Sequence, residues 1–114
     1  MNGSVSAAST ITINNTNTIG INGLIFNNGT NAVTINATGR GTTVAGGIGL
    51  TNMNINNAKV TANISGYQTG ISLSSISNGT INVNGNGTGI DLTNKSISGA
   101  NTKVTLNNNT IGVK

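Results

Sequence analysis

"GTINVNGNGTGIDL", residues 79–92, contains both of the short patterns from which the chain is built. Ile81-Asn82-Val83 and Ile90-Asp91-Leu92 are each an aliphatic pair around one polar residue, and Asn, Gly and Thr fill the space between them. That alternation is the period-two signature of a strand with one buried face. Three residues are too few for a stable hairpin, and the intervening turns lack the two-residue spacing that hairpins use. Strands this short are stable only when stacked on others of their kind.

Both patterns recur and alternate along the chain. The first gives Ile19-Gly-Ile21, Ile48-Gly-Leu50, Ile71-Ser-Leu73, Ile90-Asp-Leu92 and Ile111-Gly-Val113, at spacings of 29, 23, 19 and 21 residues. The second gives Ile11-Thr-Ile13, Val33-Thr-Ile35, Val60-Thr-Ala62, Ile81-Asn-Val83 and Val104-Thr-Leu106. A weaker third element falls between them at Ile25, Ile55, Ile76 and Ile97.

The repeat predicts an all-β fold: a right-handed parallel β-helix, or β-solenoid, of four to five coils of 19–29 residues with three short strands each. The whole chain, 1–114, reads as one domain with units near 19–47, 48–70, 71–89 and 90–110 and partial coils at both ends. Residues 1–10 are set apart as a flexible N-terminal segment. Ile19, Ile48, Ile71, Ile90 and Ile111 are expected to stack as one inner column, and Val33, Val60, Ile81 and Val104 as another. The outward columns are then Gly20, Gly49, Ser72, Asp91 and Gly112, and a ladder of Thr12, Thr34, Thr61, Asn82 and Thr105.

Composition narrows the function classes. Charged residues make up 5% of the chain and aromatics 2%, and His, Cys, Pro and Trp are absent. Without His or Cys, the Ser–His–Asp and Cys–His triads have no base. Glycoside hydrolysis uses paired carboxylates, and Asp91 is the chain's one acidic residue. The reading is therefore not an enzyme, with no cofactor. The net charge of +4 comes from Arg40, Lys59, Lys95, Lys103 and Lys114, scattered rather than striped, and Phe26 and Tyr67 lie far apart. Nucleic-acid binding is not expected, nor is membrane insertion, because no apolar run nears the roughly 20 residues of a spanning helix.

Asp91 raises a sharper question. Asn86-Gly-Thr-Gly-Ile-Asp91-Leu92 matches the first seven positions of the calcium turn Gly-Gly-x-Gly-x-Asp-x-apolar except at the first. Calcium takes six to eight oxygens, supplied by successive turns, but the equivalent positions here carry Gly or Ser. Asp91 reads as the charged member of a small outward column, with Lys95 four residues on as an exposed partner. The Thr ladder has an ice-binding reading, against which Lys59 and Lys103 break the surface in the neighbouring column of Thr10, Ala32, Lys59, Thr80 and Lys103. The longest unit carries extra residues around "NATGRGTTVAGG" (36–47), so a loop bearing Arg40 is the first candidate for a discrete contact, followed by Thr34, Thr61 and Thr105.

Three stretches carry a resemblance: "GTINVNGNGTGIDL" (79–92), "TGISLSSIS" (69–77) and "KVTLNNNTIGV" (103–113). From about residue 11 onward the chain resembles the repeats of bacterial autotransporter passenger domains and related large surface adhesins. The resemblance implies an extracellular β-helical stalk at the bacterial cell surface, supporting adhesion or cell–cell contact. Expected partners are a host or neighbouring-cell ligand and further coils, supplied by a longer chain or by head-to-tail copies forming a filament.

Overall fold

A computed structural model of the chain describes residues 1–14, 18–27, 29 and 31–114. In chain order the strands are β1 (Ser4–Val5), β2 (Ser9–Asn14), β3 (Ile19–Asn22), β4 (Ile25–Phe26), β5 (Val33–Thr38), β6 (Ile48–Thr51), β7 (Asn54–Ser65), β8 (Thr69–Ser72), β9 (Ser75–Asn84), β10 (Thr88–Asp91), β11 (Thr102–Asn107) and β12 (Ile111–Val113). Strands β2-β5-β7-β9-β11 form one five-stranded sheet and β3-β6-β8-β10-β12 a second, with every pairing parallel. A parallel pair requires a long crossover, and here the crossover is the rest of the coil. The third side is sparser: β1 pairs with β4, the start of β7 pairs with the start of β9, and Ile76 bridges to Ile97. The chain is a β-solenoid of about five turns, as its repeats predict.

Register departs from the expected columns by two residues in each sheet. In the first sheet Ile11, Ile35, Ala62, Ile81 and Val104 share a column, and Ile13, Ala37, Ile64, Val83 and Leu106 share the next. Val33 and Val60 pair with each other and with Ser9, outside the column of Ile81 and Val104. In the second sheet Ile21, Leu50, Ile71 and Ile90 align, whereas Ile19 and Ile48 align with Thr69, Thr88 and Ile111. Ile71 and Ile90 are fully buried, while Ile111 is 46% exposed.

The physical reason is that a two-residue slip preserves which face is buried. Overlapping triplets such as Thr69-Gly-Ile71-Ser-Leu73 therefore satisfy the alternation twice. Packing chooses between the two registers. Ile35 with Ala37 is followed one coil on by Ala62 with Ile64, so in these two rungs a large side chain stacks on a small one.

The deciding column is glycine. Gly20, Gly49, Gly70, Gly89 and Gly112 occupy equivalent positions in the five rungs of the second sheet, and the first four are buried. The column expected to face outward at Gly20, Gly49 and Gly112 therefore faces the interior, and Ser72 and Asp91, expected in it, sit two residues further on. A Cβ at Gly49 would lie 2.5 Å from Ile64 Cγ2 and 2.6 Å from the Gly70 carbonyl oxygen; at Gly70 it would lie 2.9 Å from Val83 Cγ1 and 2.6 Å from the Gly89 oxygen. The two sheets approach so closely along this line that no side chain fits between them.

After the second sheet the chain turns through left-handed backbone at Gly23, Asn52 and Leu73, with φ of 78°, 55° and 48°. Gly and Asn tolerate this geometry, whereas Leu is strained in it. Residues 1–10 carry β1, with the Ile25 N–H donating to Gly3 O at 2.9 Å.

A matched pair of substitutions tests this account by chemical denaturation. Gly70→Ala should lower the unfolding free energy by about 1–3 kcal/mol through overpacking. Leu73→Asn should raise it by about 0.5–1 kcal/mol by relieving a left-handed residue that is 48% exposed.

Candidate functional site

The broadest ordered surface is the outer face of the first sheet. Correct register makes its columns Thr10, Thr34, Thr61, Thr80 and Lys103, then Thr12, Asn36, Asn63, Asn82 and Thr105, then Asn14, Thr38, Ser65, Asn84 and Asn107. Thr34 and Thr61 are neighbours, as expected. Thr105 is not in their ladder; it pairs with Asn82 in the adjoining column. Lys59 also leaves this face, because it lies in the bulge of β7 between Asn56 and Thr61. Lys103 alone among the basic residues interrupts the array.

The middle column is tied together by its amides. Asn63 Nδ2 donates to Asn36 Oδ1 at 2.9 Å, and Asn82 Nδ2 donates to Asn63 Oδ1 at 2.8 Å. An Asn amide has both donor and acceptor, so identical residues one rung apart pair without charge repulsion. Each such bond is worth about 1 kcal/mol net. The Asn78–Asn56 and Asn52–Asn22 pairs, at 2.7 and 2.8 Å, repeat the device elsewhere on the surface.

The insertion in the second coil spans 39–47 between β5 and β6, where the later coils use 66–68, 85–87 and 108–110. It is anchored by Gly41 N–H to Gly66 O at 2.8 Å and Gly46 N–H to Gln68 Oε1 at 3.0 Å, with Arg40 exposed. A separate groove of about 520 Å³ lies on the third side, lined by Leu24, Ile25, Phe26, Asn52, Asn54 and Asn56 among others. It opens where the strand ladder is interrupted: β4 pairs with β1, and no pairing among the described residues joins it to β7. Ile25, expected in the third inner column, is 59% exposed at this edge, and Leu24 is buried instead. Arg40 does not line the groove.

Asp91 is occupied locally. Its Oδ1 accepts from Thr93 Oγ1 at 2.6 Å and Thr93 N–H at 3.0 Å, and the Thr93 hydroxyl, followed by its N–H and the charge of Lys114, holds the carboxyl below its usual range. No group of three or more His, Cys, Asp or Glu residues stands together among the described residues. The cation acting on Asp91 is Lys114 rather than Lys95.

Two polar features inside the coil were not read from the repeats. Asn86 is 1% exposed; its Oδ1 accepts from Tyr67 N–H at 2.9 Å, and its Nδ2 donates to Ile64 O at 3.3 Å and Asn109 Oδ1 at 3.1 Å. Asn109 continues the motif one coil on, donating to Val83 O at 3.0 Å. The recurrence of Asn at one corner, 23 residues apart, was the available signal. In the preceding coil this corner holds Tyr67, 2% exposed, whose hydroxyl is the one buried side-chain polar atom without a hydrogen-bond partner among the described residues. A single Tyr among Asn-rich turns gives no periodic signal.

No family model, curated protein or solved structure matches the chain.

Burial raises the Tyr67 pKa. A raised folded-state value gives stability that is complete below the unfolded tyrosine pKa of about 10 and is lost as pH climbs past it toward the folded value. Asp91 acts with opposite sign and little weight, losing its contribution only below about pH 4. Denaturation across pH should therefore show a plateau near neutrality and a fall above about pH 10. Tyr67→Phe should remove Tyr67's part of that fall and raise stability at neutral pH by about 1 kcal/mol, because it deletes an unsatisfied hydroxyl. A loss of stability would mean that the hydroxyl has a partner.

Proposed function

We propose that the chain is a non-catalytic structural and adhesive module of a bacterial cell-surface fibre. One observation carries the reading: both five-stranded sheets keep parallel pairing through every coil, so the backbone lattice extends by repetition under a surface of short polar side chains. A stalk needs this property, because its length must vary while its cross-section stays constant. The resemblance to autotransporter and adhesin repeats supports this reading and, with it, a setting outside the cell. Further coils join at the β11 and β12 edges, where Ile111 and Val113 are 46% and 47% exposed. They come from a continuing chain or from a second copy stacked head to tail, the filament form of the same reading. Cell-surface ligands meet the Thr/Asn face and the Arg40 loop.

A second reading has one observation in its favour. With Lys59 off the face, short hydroxyl and amide side chains repeat at the strand spacing of roughly 4.8 Å across the first sheet. Such an array orders water, and ice is its extreme ligand.

Two measurements separate these readings. Pulled from its two ends, a stalk module should extend in coil-sized steps at measurable force; unravelling without a force plateau would sink the stalk reading. A thermal-hysteresis assay should show no activity for a stalk. Activity abolished by Thr61→Glu would establish the ice reading instead.

A further inference from the structure

Asn–Gly is the dipeptide most prone to self-modification, because the glycine nitrogen reaches the asparagine side-chain carbonyl without steric hindrance. The chain contains Asn–Gly at 2–3, 22–23, 28–29, 78–79, 84–85 and 86–87. Asn28 lies outside the described residues. For the other pairs the structure separates two classes.

Within the coils, the attacking nitrogen is engaged every time. Gly23 N–H donates to Thr51 O at 3.0 Å, Gly79 N–H to Asn101 O at 3.1 Å, Gly85 N–H to Asn107 O at 3.0 Å and Gly87 N–H to Tyr67 O at 2.9 Å. Each acceptor belongs to a neighbouring coil. The side-chain amides are held across coils as well. Asn22 Oδ1 accepts from Asn52, Asn78 Nδ2 donates to Asn56, Asn84 Oδ1 accepts from Asn108, and Asn86 is bonded through both ends of its amide. Ring closure requires the glycine nitrogen to lose its proton and turn toward Cγ. At these four sites that motion breaks inter-coil hydrogen bonds on both partners.

Asn2–Gly3 differs on every count. Asn2 is exposed, neither its side chain nor the Gly3 N–H has a hydrogen-bond partner among the described residues, and nothing beyond the two adjacent residues lies within 4 Å of a Cβ built on Gly3. The neighbouring groups are fixed nonetheless: Met1 O accepts from Asn22 N–H at 2.7 Å, and Gly3 O accepts from Ile25 N–H at 2.9 Å.

We propose that Asn2 is a site of spontaneous deamidation in the folded protein, and that the inter-coil ladder suppresses the same reaction at Asn22, Asn78, Asn84 and Asn86. The deprotonated Gly3 nitrogen attacks Asn2 Cγ, the bond from Cγ to Nδ2 breaks, and ammonia leaves with the proton. Water then opens the cyclic imide at either carbonyl, leaving aspartate or isoaspartate. The product places a carboxylate at the outer edge of the first rung, in a chain whose one other acidic side chain is Asp91. The edit is slow and one-way, and it marks the age of the molecule.

The full-length folded chain and a sample in denaturant are incubated side by side in mildly alkaline buffer, then mapped by peptide mass spectrometry with isoaspartate detection. Asn2 should convert at similar rates in both samples. The four ladder sites should be slowed by about tenfold or more in the folded sample, since reaction there awaits local opening. Asn2→Gln should abolish the folded-state product while leaving the denatured-state products at the other sites. Conversion of Asn22, Asn78, Asn84 or Asn86 in folded protein as fast as Asn2 would refute the protection. Silence at Asn2 in folded protein, with conversion in denaturant, would refute the site.

Discussion

The rest of the structure depends on the close approach of two sheets along a line of glycines. At Gly49 and Gly70 even a methyl group would collide both with the facing sheet and with the next rung's backbone. This contact sets the register of the second sheet. Its register then determines which side chains of the first sheet lie opposite, and hence that Ile64 and Val83 cover the glycines while Ile35 and Ile81 fill the wider part of the interior. A solenoid without disulfides depends on such contacts, because its core is only one coil wide.

Hydrogen bonding between coils supplies what the thin core lacks. Backbone ladders run through both sheets, and asparagine amides join successive coils outside, at Asn36, Asn63 and Asn82, and inside, at Asn86 and Asn109. The amide is the side chain that pairs with a copy of itself in this geometry, so Asn is abundant and charge is scarce. Tyr67 is the exception. It fills the interior where Gly39 and Gly49 leave space, and its hydroxyl stays unpaired in return for aromatic packing. The same inter-coil bonds that stabilise the stack also hold the Asn–Gly nitrogens away from reaction, linking the fold's mechanics to its chemical durability.

Fold class was legible from the alternating triplets, because period-two burial and strands too short for hairpins leave stacking as the remaining solution. In the first sheet the inner or outer assignment survived for the same reason, since a slip of two residues does not change the face; in the second sheet the glycines expected outside line the interior. Column membership survived only in pairs, such as Ile71 with Ile90 and Thr34 with Thr61. Thr105 belongs with the Asn ladder and Lys59 with a bulge, since neither a two-residue ambiguity nor the three additional residues between Asn56 and Thr61 leaves a mark in the local pattern. Asp91 reads from the sequence as a variable surface position rather than a calcium ligand, because a single carboxylate does not furnish the oxygens calcium takes. Its true neighbours, Thr93 and Lys114, depend on the turn and on the next coil.

The sequence alone determined that this chain is an all-β solenoid, because period-two burial in short, repeating segments is a local property that any window displays. Tertiary structure decided the register of the coils, the inward glycine line, the groove beside Phe26 and the protection of four Asn–Gly pairs. Each of these is set by which residue lies one coil away, roughly 20 residues along the chain. Only packing volume across the interior can choose among alignments that satisfy the same alternation.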